Sequence, residues 1–273
     1  MTINCKGNLI DLSEPKVMGI LNITPDSFFD GGAYKNEAAI LDQVEKMLSE
    51  GATFIDVGAY SSRPGAAHVS EEEELKRILP VIQLLVQKFP NILISVDTFR
   101  SKIAQECVLA GAAIINDISG GNMDPKMFQT VAKLQVPYIV MHMLGTPQNM
   151  QKNPIYKSVT HELISFFADK IHQLHVLKVN DVLIDVGFGF GKAPAHNFEL
   201  LKNLALFKNI EVPILIGVSR KSMLYKTLDI SAQEALNATT SANTIALLNG
   251  ANILRVHDVK EAVEAVKIVA QIR

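Results

Sequence analysis

Eight times along this chain, a short and almost continuously apolar run gives way to a polar turn and then to a stretch of helical periodicity. The runs are KVMGILNI (16–23), ATFIDVG (52–58), NILISVD (91–97), AAIINDI (112–118), PYIVMH (137–142), DVLIDVG (181–187), PILIGVS (213–219) and NILRVHD (252–258). Their near-continuous apolar character reads as strands covered on both faces. Helices are expected over 36–50, 71–89, 101–110, 124–135, 158–178, 196–208, 232–249 and 259–272. Parallel strands need such crossovers. Eight strand–helix units therefore predict an α/β fold, a single (β/α)8 barrel, with a doubly wound open sheet as the alternative. Ser70 with Glu73 three residues on forms a capping-box signature. The acidic run Glu71–Glu74 reads as a solvated first helical turn, favoured by the helix dipole, and not as a metal site. Residues 1–15 are expected to form a short hairpin or cap beneath the barrel.

The chain has 273 residues, 48% of them apolar, close to the size of one barrel of about 250 residues. It shows no linker and no low-complexity segment, so one domain is expected over 1–273. The net charge is −2 and no basic block appears, which disfavours nucleic acid and anionic membrane as partners. The apolar stretches are too short to span a bilayer, and the N-terminus lacks the apolar core of a signal peptide. Cys5 and Cys107 have no metal or redox spacing and read as reduced thiols in a cytoplasmic protein.

In barrels of this kind the chemistry sits at the C-terminal ends of the strands. Here those ends are polar: Asn22; Asp56, followed by Ser61, Ser62 and Arg63; Asp97; Asn116 and Asp117; His142; Asp185; Ser219, Arg220 and Lys221; Arg255 and His257. Burying such groups costs free energy unless partners are supplied. Asp97, Asn116 and Asp185 offer acceptors, which suits a flat, nitrogen-rich heterocycle bearing an amino group, with Met141, Phe190 and Arg255 against its faces. Arg63, Arg220, Arg255 and His257 supply positive charge for an anion, and Asn22 an oxygen for a hard cation. GFGFGK (187–192) is neither a Walker loop nor a dinucleotide fingerprint. Close passage of backbone past a flat ligand and an ordinary tight turn fit its spacing equally. His142 reads as a satisfied core histidine. His161, His172 and His175 read as a solvated helix face, and His68 and His196 as loop or cap residues.

Taken in order, GILNITPDSFFDGG (19–32), SSRPGA (61–66), ISVDTFRS (94–101), INDISGG (115–121), HMLGTPQNMQ (142–151), DVGFGFGK (185–192), GVSRKSM (217–223) and RVHDV (255–259) resemble the dihydropteroate synthase family. The resemblance runs from Val17 to Val259. It implies condensation of 6-hydroxymethyl-7,8-dihydropterin diphosphate with 4-aminobenzoate, releasing diphosphate, with Mg2+ as cofactor and a homodimer as the usual assembly. It places Asn22, Asp26, Arg63 and Lys221 in the catalytic set. It puts Asp97, Asn116, Met141, Asp185, Lys221 and Arg255 around the pterin, and Ser62, Arg63, Pro64, Phe190, Lys221 and Ser222 around the aminobenzoate. Asn22, Arg63, Arg255 and His257 would hold the diphosphate, with Asn22 at the metal. Phe28 and Phe29 would shield the site as part of a covering loop. The sequence departs from the family pattern at Ala59, Tyr60 and Ser62, and at Val186 where proline is usual. A methyltetrahydrofolate–corrinoid methyltransferase would share Asp97, Asn116 and Asp185, but would need neither SSRPG nor RVH. A non-catalytic pterin-binding paralogue would not need Asn22, Arg63, Lys221 and His257 intact.

Overall fold

The computed structural model describes residues 1–23, 33–60, 69–150 and 154–272, the side chains of 33–36 excepted. Eight parallel strands close into a barrel in the order β10-β3-β4-β5-β6-β7-β8-β9. They are β3 (Lys16–Asn22), β4 (Phe54–Gly58), β5 (Ile94–Asp97), β6 (Ile114–Asp117), β7 (Tyr138–Met141), β8 (Val182–Asp185), β9 (Ile214–Ile216) and β10 (Ile253–Val256). Each falls inside one of the apolar runs. The helices are α1 (Ala33–Ser49), α2 (Glu71–Lys88), α3 (Ser101–Leu109), α4 (Met127–Leu134), α5 (Val159–Val176), α6 (Pro194–Lys202), the short α7 (Ser222–Tyr225), α8 (Leu236–Leu248) and α9 (Val259–Ala270).

Side chains along a strand alternate between the two faces of the sheet. Outward residues such as Ile55, Val57, Val96, Val140 and Ile184 join the large core beneath the helices. Inward residues form a second core: Met18, Phe54, Ile114, Ile139, Leu183, Leu215 and Ile253. That inner layer is closed from below by an antiparallel hairpin, β1 (Thr2–Cys5) with β2 (Asn8–Asp11), through Ile3, Cys5 and Leu12. Asn252 Nδ2 donates to Leu12 O at 3.0 Å, and Asn4 N to Asp181 Oδ2 at 3.1 Å, which fastens the hairpin to the barrel base.

Several boundaries differ from expectation for local reasons. The segment expected to start at 124 becomes helical only at Met127, because the Asp124 carboxylate accepts from Ser101 N and Lys126 N and holds a turn there. The segment expected over 196–208 ends as α6 at Lys202 and continues as a 3-10 helix, Leu204–Ile210. Ser70 Oγ caps α2 as expected, accepting from Glu73 N at 3.2 Å. The acidic turn does not stay solvated throughout. Glu74 is fully buried, accepts from Thr98 Oγ1 at 2.7 Å and pairs with Arg100. Burial pushes its carboxyl above the usual range, against the pull of Thr98 and Arg100.

Leu12 is completely buried between hairpin and barrel. Leu12→Ala is expected to destabilise the chain by about 2–5 kcal/mol in urea unfolding, with far-ultraviolet circular dichroism unchanged.

Candidate active site

Two residues above the apolar floor, the same inward parity carries mostly polar or small groups, with Met141 and Ile20 as the apolar exceptions. Phe54 is followed by Asp56, Ile114 by Asn116, Ile139 by Met141, Leu183 by Asp185, Leu215 by Gly217 and Ile253 by Arg255. The ladder register sets Asp97 beside Asn116 and Met141 beside Asp185. These residues surround the bottom of a cavity of about 850 Å³ at the C-terminal end of the barrel, Asp56 excepted, which lies just beneath it.

Charge at this depth is held by one bridge. Arg255 Nε donates to Asp56 Oδ2 at 2.6 Å, and Arg255 Nη2 to Asp97 Oδ2 at 2.8 Å. Asn116 Nδ2 donates to the same Asp56 oxygen at 3.1 Å. Asp56 was recognised in the sequence as a strand-end acid but not as the anchor of Arg255. Its parity with Phe54 was the available signal. Arg255, expected against the ring face and the anion, has two of its nitrogens committed to the floor. Asn116 Oδ1 has no hydrogen-bond partner among the described residues. Asp185 Oδ1 accepts from Gly187 N at 2.8 Å. The floor is thus rich in acceptors, as a donor-bearing heterocycle requires.

The protonation states follow from burial. It pushes the Asp97 carboxyl up to about 7, with Arg255 pulling it down and Asp56 pushing it further up. Asp185 is raised by burial too, opposed by the Gly187 N–H and Lys221. Lys221 is lowered by burial to about 8, with Arg255 adding and Asp185 and Asp97 opposing. Its ammonium lies 4.2 Å from the centroid of Phe190, a cation–π contact on the cavity wall.

The loop that carries Phe190 is built on backbone crowding. A Cβ on Gly187, whose φ is 66°, would lie 2.1 Å from His142 O. That glycine is required by the approach of the β7 and β8 loops to each other, and it lines the cavity together with Gly189. Lys192, not picked out by the sequence, is buried beneath this loop. Its Nζ donates to the carbonyls of His142, Gly187 and Phe190 at 3.0–3.1 Å and lies 3.0 Å from His142 Nδ1. His142 is accordingly a satisfied core histidine, pushed down to about 3 by burial and then by Lys192.

Asn22, Asp97, Asn116, Met141, Asp185, Phe190, Lys221, Ser222, Arg255 and His257 all line the one cavity. Asp26, Ser62, Arg63 and Pro64, with Phe28 and Phe29, lie outside the described residues. Two expected polar groups are committed elsewhere. Arg220 does line the cavity, but it forms a two-pronged ion pair with Asp258, at 2.9 and 2.8 Å, so its charge is not free at the rim. Asp117 receives Tyr138 OH at 2.6 Å and closes the turn after β6 through Ser119 N and Gly121 N. Tyr60 stacks edge-on to Phe99 and accepts from Gln148 Nε2 at 2.9 Å, which accounts for its packing in place of the family's acid. Val186 is fully buried, a local apolar substitution.

Residues 18–257 match the family of pterin binding enzymes. The dihydropteroate synthase of Escherichia coli strain K12 is 43% identical over 272 residues, covering 98% of this chain and 95% of that one. This chain belongs to the dihydropteroate synthase family. Two solved family members show how far the likeness extends in space. A Yersinia pestis dihydropteroate synthase solved with a sulfonamide drug complex superposes with a TM-score of 0.93 at 44% identity, covering 100% of this chain and 99% of that one. A Xanthomonas albilineans dihydropteroate synthase solved with 4-aminobenzoic acid gives 0.92 at 36% identity, with 99% and 97% covered. As a member of the dihydropteroate synthase family, the chain is a transferase of folate synthesis.

Arg255→Met leaves Asp56 and Asp97 buried and facing each other without a counter-charge. A loss of about 3–5 kcal/mol is expected in chemical unfolding at pH 8. The loss should grow as the pH rises above about 7, where the wild-type Asp97 ionises beside Arg255, and should be level below it, where Asp97 is protonated in both proteins.

Proposed function

We propose that the chain condenses 6-hydroxymethyl-7,8-dihydropterin diphosphate with 4-aminobenzoate to give 7,8-dihydropteroate and diphosphate. One observation supports this above others: the acceptor floor of Asp97, Asn116 and Asp185 and the cationic Lys221 share a single cavity in a chain 43% identical, end to end, to a named synthase. A corrinoid methyltransferase would account for the floor alone.

In this reading Asp185, Asn116 and Asp97 accept from the amino and lactam N–H groups of the pyrimidine edge. Lys221 donates to the ring from β9's loop, and Met141 covers a face. The bond that breaks joins the exocyclic CH2 to a diphosphate oxygen, and the bond that forms joins that carbon to the aminobenzoate nitrogen. The bond-breaking electron pair leaves with diphosphate, the nitrogen lone pair makes the new bond, and the nitrogen then releases one proton. A weakly basic aromatic amine needs no dedicated base before attack. The protein's work is to align the amine and stabilise the leaving anion. Phe190, Lys221 and Ser222 form the described part of the aminobenzoate wall, completed by Ser62, Arg63 and Pro64. His257 and Arg255, both on the cavity wall, would bind the diphosphate, and the family resemblance adds Arg63 and Asp26 to them.

Among the described residues no cluster of three or more His, Cys, Asp or Glu could hold a metal. Asn22 puts an amide group on the cavity wall. That donor set fits Mg2+ of the kind that takes one or two protein oxygens and otherwise rides on substrate phosphates. When bound, the ion would neutralise the departing diphosphate. We also propose a homodimer, the usual assembly that the family resemblance implies. Among the described residues no helix is long and apolar enough to cross a membrane. Buried thiols at Cys5 and Cys107 support a reducing, cytoplasmic setting.

Diphosphate release is expected only when both substrates and Mg2+ are present. Release that persists without aminobenzoate would contradict the assignment. Asp185→Asn presents an N–H donor to a donor-bearing edge and should weaken pterin binding by roughly 10- to 100-fold in calorimetry. The profile of kcat/KM against pH should be bell-shaped, rising as Asp97 ionises near 7 and falling as Lys221 loses its proton near 8. Asp97→Asn should remove the acid limb and leave the alkaline one.

A further inference from the structure

At the rim of the cavity, His257 and Ser219 touch through two contacts that together fix where protons lie. His257 N donates to Ser219 Oγ at 3.2 Å, and the same oxygen lies 3.0 Å from His257 Nδ1. The backbone N–H can only donate, so it occupies one lone pair of the hydroxyl. The Ser219 hydrogen then has one acceptor within reach among the described residues, Nδ1. In the opposite arrangement Nδ1–H would donate to a hydroxyl that already accepts. The serine hydrogen, on a residue only 5% exposed, would have no acceptor there. Leaving a buried donor unmade is the costlier choice.

The charge of the ring agrees. His257 keeps part of its surface open at the mouth. Withdrawal from water by the barrel rim, and then Arg255, push the imidazole down to about 4, with Arg220 and Lys221 adding to this and Asp258 opposing. A neutral imidazole carries one N–H. If Nδ1 accepts from Ser219, that N–H is on Nε2.

We propose that Ser219 is a positioning residue: its hydroxyl locks His257 in the Nε2–H tautomer, so that the ring offers the cavity mouth a donor for a phosphate oxygen of the departing diphosphate. This rests on the synthase reading for the identity of the anion, but not for the tautomer. The alternative tautomer would present a lone pair to an anion, which repels it. Ser219, itself on the cavity wall, therefore decides the sign of the interaction through the ring.

The test uses the 15N-labelled full chain and long-range proton–nitrogen correlation of the imidazole, with H257Q identifying the His257 signals. The wild type should show the Nε2–H pattern. Ser219→Ala should show a mixture of tautomers, and Ser219→Thr, which keeps the hydroxyl, should restore the single form. In calorimetry inorganic diphosphate should bind Ser219→Ala about tenfold more weakly. Binding of 6-hydroxymethylpterin, which lacks phosphate, should be unchanged, a split that general loosening of the barrel would not give. An Nδ1–H pattern in the wild type overturns the proposal, as does an Ser219→Ala variant with unchanged tautomer or unchanged diphosphate affinity. If the tautomer and diphosphate results come out as expected but the wild type releases no diphosphate from its two substrates, the synthase reading falls and the role of Ser219 stands.

Discussion

The interior of this barrel is organised around one guanidinium between two buried carboxylates. Arg255 comes from the last strand, Asp56 and Asp97 from the second and third strands of the barrel, so the bridge ties strands far apart in sequence. Withdrawing three ions from water costs several kcal/mol per ion. Their mutual attraction offsets that cost only while all three remain in place. The same bridge decides how the cavity looks to a ligand. It fixes one oxygen of Asp97, keeps Asp56 out of the cavity and leaves the acceptors of Asn116 and Asp185 to face inward. An apolar plug of similar volume would give a more stable barrel and no acceptor floor.

That arrangement needs little more than strand parity. The inward positions of the lower layer are apolar and form one core with the N-terminal hairpin, and most positions two residues higher are polar or small, with Ile20 and Met141 the apolar exceptions. Gly217 is the small one, and it keeps space open beside Asp185 and Arg255. Stability and recognition thus occupy successive layers of the same strands.

Much of this was legible from the sequence. All barrel strands lie within the apolar runs, because strands covered by helices outside and packed side chains inside must read as apolar throughout. The residues converging on the cavity were legible because they stand at the ends of those runs. What could not be read was which polar partner each would choose. Arg220 turns to Asp258, Asp117 to Tyr138 and Glu74 to Arg100, and each pairing depends on register between distant segments. Lys192 looked like the end of a glycine-rich turn, yet its buried amine gathers three carbonyls beneath that turn. The start of α4 was misplaced for the same reason, since Asp124 serves Ser101 on another helix as well as its own turn.

The hairpin at the base has a consequence for traffic. With Ile3, Cys5 and Leu12 sealing one end of the barrel, everything that reaches the acceptor floor passes the rim. A compound seated on Asp185 is a cork beneath whatever rests on Phe190 and Ser222. A deep occupant would have to arrive first, and a product spanning both levels would leave only after its upper part had cleared the mouth. Queueing of this kind is a property of a vessel with one door, set by a few residues at the opposite end of the molecule.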